Sequence, residues 1–165
     1  MSRKVEENLA RLLAREMRAG ARNAAFMLKA QQEGEEGLAL LFKAAADAKS
    51  VHAKRLLNLL RGKIKESREN LREALESELH GTEVLYPGMI QEAKSSPTAV
   101  RKGFIQSMKT DQELAGLYQE AMGTVRREKS PVYYVCQICG HIHKNSIPRN
   151  CPVCKAVPGR FKQVV

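Results

Sequence analysis

Two C-x-x-C pairs, Cys136-Gln-Ile-Cys139 and Cys151-Pro-Val-Cys154, stand eleven residues apart and account for all four cysteines of the chain. Each pair can wrap a tight turn whose backbone N–H groups face the sulfurs, so two such turns face to face offer four thiolates in a tetrahedral array. That array suits Zn²⁺ or a single iron. Four cysteines can also form two disulfides. With no leader-like stretch in the sequence, a cytoplasmic chain is expected, in which thiols stay reduced and metal binding is their use. Zinc would make the site a structural clip and iron a one-electron carrier; the spacing leaves both open.

At 18.4 kDa and 43% hydrophobic content the chain suits one ordinary domain plus a small one. No apolar run approaches the ~18 residues that cross a membrane. The formal charge is +10, and residues 131–165 hold five basic and no acidic side chains. Four bound thiolates and one metal ion would leave that tail at about +3 to +4. An acidic redox partner protein is therefore expected. Nucleic acid is not, because no motif interleaves aromatic and basic residues.

Upstream of the cysteines the apolar residues follow a helical period. The first predicted helix covers residues 5–32, with Leu9, Leu12, Leu13, Glu16, Asn23, Met27 and Ala30 on one face. After Glu33-Gly34-Glu35, a second runs from Glu36 to Leu60 with Leu38, Leu41, Phe42, Ala45, Lys49, His52, Leu56 and Leu59, and Gly62 is its candidate C-terminal cap. A third starts at Ser67 or Asn70 and carries Leu71, Ala74, Leu75, Glu78 and Leu85; Tyr86-Pro87-Gly88 should kink or break it. The fourth spans Thr98 to Arg127, with Val100, Phe104, Met108, Asp111, Leu114, Tyr118 and Ala121 inward, and Lys129-Ser130-Pro131 links it to the cysteine region. Four amphipathic helices predict a bundle over 1–128 and a metal domain over 129–165. Mid-helix, polar residues interrupt each stripe: Glu16, then Lys49 and His52, then Glu78, then Asp111. Charges in a core are paired or metal-bound, so one shared polar cluster is expected.

The run Tyr133-Tyr134-Val135-Cys136-x-x-Cys139-Gly140-His141-Ile142, followed by Pro148-x-x-Cys151-Pro152-x-Cys154, Phe161 and Val164, resembles the rubredoxin domain at the C-terminus of rubrerythrins. The resemblance extends upstream through Glu6-Glu7-Asn8-Leu9, Ala14-x-Glu16, Glu33-Gly34, Phe42 through Ala46-Asp47 to His52-Ala53-Lys54-Arg55-Leu56, Glu69-Asn70-Leu71-x-Glu73-Ala74, and Glu78 to Tyr86-Pro87. It implies an all-α, ferritin-like four-helix bundle with a small β-rich rubredoxin-like domain, one iron at Cys136, Cys139, Cys151 and Cys154, and a homodimer. In that family the bundle also holds two irons through glutamates and two Glu-x-x-His motifs, and it reduces hydrogen peroxide, an oxidative-stress activity.

Carried over by position, the bundle site is depleted. Glu16 and Glu78 match family glutamates and His52 matches a family histidine, but Lys49 stands where its Glu-x-x-His partner belongs and Gly81 where a further glutamate does. The second motif becomes Asp111-Gln112-Glu113-Leu114. A diiron centre is therefore not expected; an ammonium at Lys49 can neutralise the carboxylates in its place. The residual set Glu16, His52, Glu78 and Asp111 would suit a single metal. Peroxide reduction at such a modified site and a zinc-ribbon binding module are the alternatives to electron transfer. His80, Glu83 and Asp47 read as solvated, with His80 or Glu83 turning inward only through a local shift near Gly81. Tyr86 matches an aromatic of the family site, where the first helix offers Asn23. His141 and His143 read as neighbours that tune the cysteine site or lie at the surface, not as ligands.

Overall fold

The computed structural model describes residues 1–60, 63–123 and 131–165. The Gly62 cap, the end of the fourth helix beyond Gly123 and the 128/129 domain boundary with its linker lie outside the described residues. Two compact units are present, Met1–Lys65 and Glu66–Val165.

The first unit is a helical hairpin of α1 (Arg3–Gln32) and α2 (Glu36–Leu59). Ser2 caps α1 by accepting the Val5 N–H at Oγ (3.4 Å). The turn that reverses the chain is a complete Schellman motif: Gly34, at φ +76°, donates to the Gln31 carbonyl (3.2 Å), and Glu35 donates to that of Ala30 (2.9 Å). Buried Ala30 and Ala39 flank the turn, and Phe26 meets Phe42 edge-on with ring centroids 5.5 Å apart. One partner helix covers a seam rather than a wide face, so Leu12, Leu38, Leu41 and Leu59, expected inward, are exposed, and Ala39, Leu56 and Leu60 are the buried residues of the second helix and its end.

The second unit begins with α3 (Ser67–His80), a π turn (Gly81–Leu85), α4 (Tyr86–Glu92) and a 3₁₀ turn (Ala93–Ser95), followed by α5 (Thr98–Gly123). Arg68 near the start of α3 donates to the Met122 carbonyl near the end of α5 (3.4 Å), so the two run antiparallel. The kink or break expected at Tyr86-Pro87-Gly88 takes the form of a π turn just upstream of them. Proline lacks an N–H and crowds the carbonyl four residues back, here that of Glu83. The chain widens by a residue just upstream, with the Tyr86 N–H reaching the Gly81 carbonyl five residues back, and then continues as helix. Thr82, buried in this turn, donates its hydroxyl to the Glu78 carbonyl (2.9 Å). Beyond α5 lies an antiparallel sheet ordered β2-β1-β3, made of β1 (Tyr133–Cys136), β2 (Ile142–Lys144) and β3 (Phe161–Gln163). The fold class is as expected: helical, with a small β-rich C-terminal module. No helix among the described residues is long and apolar enough to cross a membrane.

Candidate metal centre

Strands of three or four residues cannot hold a module together by themselves. The two C-x-x-C turns supply the missing organisation, and they are built alike. In the first, Gly140 donates to the Cys136 carbonyl and Cys136 to that of His141, both at 2.9 Å. In the second, Lys155 donates to the Cys151 carbonyl and Cys151 to that of Ala156, again both at 2.9 Å. Each turn places its next residue in left-handed backbone: Gly140 at φ +80° and Lys155 at φ +65°. Glycine suits that conformation and lysine is strained in it, so the second turn holds its geometry against a local preference.

This construction faces the sulfurs toward one another. Cys136 Sγ lies 3.6 Å from Cys154 Sγ, and Cys139 Sγ lies 3.6 Å from Cys151 Sγ. All four ligand atoms fall within 4.8 Å of each other, and the cysteines are free thiols, not disulfides. A tetrahedral ion with metal–sulfur bonds of about 2.3 Å needs sulfurs about 3.75 Å apart, so the donor set fits one thiophilic ion. Burial opposes ionisation of Cys136, but N–H groups of Ile138 and Cys139 aimed at its sulfur bring the thiol below its ordinary value. Burial raises the Cys139 and Cys154 thiols, against N–H donors from His141 and Ala156. A bound cation would complete the stabilisation of all four thiolates.

His141 joins no such cluster, but it is not at the surface. It is 3% exposed, neither ring nitrogen finds a hydrogen-bond partner, and burial pushes its pKa down. His143 lies edge-on to it at 6.0 Å and engages the Ser146 carbonyl through Nδ1 (2.8 Å).

Polar residues of the helices meet within each unit. In the hairpin, Glu16 is 4% exposed and both its oxygens are taken. Lys49 Nζ donates to Oε2 (2.9 Å), which also meets His52 Nδ1 (3.0 Å), while Arg15 donates to Oε1 (2.6 Å). The Lys49 ammonium, then His52, hold the Glu16 carboxyl down to about 2 against the opposing effect of burial. Gly20, one turn along α1, lets the Lys49 Cβ approach to 3.4 Å of where a Cβ would stand. A cavity of ≈ 340 Å³ lined by Leu12, Glu16, Lys49, His52, Arg55 and Leu56 borders this cluster.

In the second unit, Tyr86 donates its hydroxyl to Asp111 Oδ2 at 2.6 Å, which raises the phenol to about 12. Burial, and then the charge of Asp111, raise the Glu78 carboxyl; burial, and then Glu78, raise the Tyr118 phenol. The π turn is the local shift near Gly81 on which an inward His80 or Glu83 depended, yet both remain exposed and Thr82 is the side chain it buries. Asp47 is exposed as expected. Among the described residues, the four cysteines are the one set of three or more His, Cys, Asp or Glu side chains gathered at ligand distance.

Residues 134–162 match the family described as the rubredoxin-like domain of rubrerythrin. Nigerythrin from Nitratidesulfovibrio vulgaris is 27% identical over 163 residues, covering 90% of this chain and 80% of that protein. A rubrerythrin from Porphyromonas gingivalis is 29% identical over 170 residues, with coverage of 92% and 85%. Among solved structures, nigerythrin in its mixed-valence and fully reduced, all-ferrous states superposes with TM-scores of 0.55 and 0.57, at 25% identity over 96% of this chain and 86% of that one. A four-cysteine module of rubredoxin type, set behind long helices, makes this chain similar to the rubrerythrins and nigerythrin in domain order and over most of their length.

Proposed function

We propose that the chain is a one-electron carrier whose redox centre is a mononuclear iron held by Cys136, Cys139, Cys151 and Cys154, and that its helices serve as scaffold without a working diiron site. The observation that carries this reading is the convergence of four sulfurs within 4.8 Å, inside two turns of matching hydrogen-bond pattern. Iron, when bound there, supplies a single-electron couple. The protein keeps four anionic ligands fixed, so little has to rearrange when the charge changes, and N–H groups on the sulfurs offset part of the negative charge. Nigerythrin's mixed-valence and all-ferrous states favour iron over zinc.

Loss of the diiron site is supported by what occupies Glu16. Three side chains compete for the two oxygens a metal would need, and Lys49 and Arg15 contribute positive charge that repels a cation. The same proposal includes a cytoplasmic setting, an acidic redox partner, a homodimer, and a division of labour between residues 1–128 and 129–165.

Metal content per chain, measured on anaerobically purified protein beside the Cys136→Ser/Cys139→Ser variant, tests the reading. One iron with a red ferric chromophore in the native protein, and none in the variant, is the expected result. Stoichiometric zinc and a colourless protein from iron-replete cells would make the module a structural clip. Two irons surviving in the variant would return peroxide reduction to the helices.

A further inference from the structure

The basic residues of α1 are not scattered around the helix. Leu13, Glu16, Asn23, Met27 and Ala30, buried or half-buried, mark its covered side, where Glu16 meets Lys49 of α2. With about 100° between successive residues, Lys4, Arg11, Arg15, Arg18, Arg22 and Lys29 fall within a sector of about 60° on the far side, and no other residue of α1 shares that sector. All six are exposed. Glu7, at the edge of the sector, is held by Arg3 (2.9 Å).

Two of the six are paired, Arg15 with Glu16 (2.6 Å) and Lys29 with Glu33 (2.9 Å). The other four keep their charge. Lys4 and Arg11 form no ion pair among the described residues. Arg18 donates to the Ala14 carbonyl (3.2 Å), which does not neutralise it. The Arg22 guanidinium lies over the Phe26 ring, 5.6 Å from its centre, and keeps its N–H edge for a further acceptor. Lys4, Arg11 and Arg18 are seven residues apart, so their positions stand about 10.5 Å apart along the axis, with Arg22 about 6 Å beyond, in a row of about 27 Å.

We propose that this row, Lys4, Arg11, Arg18 and Arg22, binds the phosphate backbone of duplex DNA without regard to base sequence. The site is separate from the cysteine turns and holds whichever metal they take. Duplex DNA carries about one negative charge per 1.7 Å of its axis, so a row of about 27 Å meets dense charge along its whole length and releases counterions from it. Three of the four free cations are arginine, whose planar fork matches phosphate oxygens two at a time. The lack of an aromatic–basic motif argues against base stacking, and backbone contact needs none. Other partners fit less well. The sector has no apolar side chain to form the dry centre of a protein contact. A helix lying on a membrane buries apolar side chains beside its cations, whereas Phe26, next to the row, is turned edge-on to Phe42.

Binding is measured by fluorescence anisotropy on the metal-loaded full chain, with labelled duplexes of about 25 base pairs in two unrelated sequences, at salt from about 50 to 200 mM. Two variants each lower the formal charge of +10 by four. Lys4→Gln/Arg11→Gln/Arg18→Gln/Arg22→Gln removes the row and leaves the ion pairs of Arg15 and Lys29 in place, while Lys43→Gln/Lys54→Gln/Arg101→Gln/Lys102→Gln removes exposed cations elsewhere. Glutamine suits a helix, and circular dichroism checks that both variants fold. Native protein and the second variant are expected to bind both duplexes alike, with a slope of log K on log salt of about −3 or steeper. The row variant should bind at least about tenfold more weakly, with that slope shallower by about two units or more, and Arg11→Gln alone should make it shallower by about one. Equal binding by the two fourfold variants, a slope unchanged by Arg11→Gln, preference for one duplex sequence, or tighter binding of phosphatidylserine vesicles or polyglutamate than of duplex would each overturn the proposal.

Discussion

Glu16 in the helical hairpin and the thiols of the C-terminal turns set the same electrostatic problem, buried negative charge, and the two regions meet it by opposite means. The hairpin neutralises its carboxylate from within, using the ammonium of Lys49 and the guanidinium of Arg15, with His52 Nδ1 against the same oxygen as Lys49. The cysteine turns bring four thiols together with no ion pair to any of them among the described residues, so ionising all four calls for a compensating charge from outside. A region that carries its own counter-charge is complete on folding. One that lacks it is a receptor.

Removing two ligands should expose this difference most strongly. The Cys136→Ser/Cys139→Ser variant is expected to lose its metal and the amide dispersion of residues 131–165 together, since metal binding to such modules contributes roughly 10 kcal/mol or more of folding free energy. The helices should keep their circular dichroism. NMR spectra with and without chelator check both, and a module that stays folded without metal would break the contrast.

The next largest effect is expected at Lys49. Lys49→Met removes the principal counter-charge, so the Glu16 carboxyl should rise by at least about one unit, read by carboxyl NMR titration, and thermal stability should fall. In the native chain the Glu16 pKa lies below its unfolded value, so its contribution is present above pH 4.5 and is lost as pH falls toward about 2. The melting-temperature difference between native protein and Glu16→Gln should shrink over that window.

Smaller effects compare the two cysteine turns. Gly140→Ala forces a Cβ into left-handed backbone and should destabilise the metal-loaded module by about 1–2 kcal/mol, whereas Lys155→Gly should stabilise it by up to about 1 kcal/mol. Denaturant midpoints at fixed metal concentration measure both, and equal signs would show the turns to be less alike than their hydrogen bonds.

The smallest expected change is at Glu78, which has an acidic neighbour where Glu16 has basic ones. Its pKa is raised, so below the unfolded value it contributes fully, and that stability is lost as pH rises through the folded value. Glu78→Gln should therefore stabilise slightly at pH 7, within about 0.5 kcal/mol, and lose that gain at pH 4.

The metal site was legible because ligand spacing is local: a C-x-x-C turn needs no distant contact to declare itself. Lys49 and Glu16 were legible as polar interruptions of apolar stripes. Arg15 was not, since adjacent helical residues point in different directions and its long side chain has to curl back to reach Glu16. Lys155 was hidden for a related reason, because a left-handed residue is signalled by glycine and the second turn lacks one there. The exposed Leu38, Leu41 and Leu59 carry the periodicity of an inward face, and periodicity records which side is apolar without saying what covers it. The sequence left His141 between a neighbour that tunes the cysteine site and a surface group, because burial follows from the packing of the whole module, which a motif does not display.

The π turn at Gly81–Leu85 acts as a phase shifter. One additional residue in a helical turn rotates everything after it by about 100° relative to an uninterrupted α-helix. Tyr86 reaches Asp111 from that shifted phase, so the pairing depends on residue count as much as on residue identity. Deleting one residue between Gly81 and Leu85 would return the helix to its ordinary phase and swing the phenol away from its carboxylate, although neither side chain had been touched. Whole-residue insertion and deletion thus form a mutational route by which this stretch can exchange one polar arrangement for another.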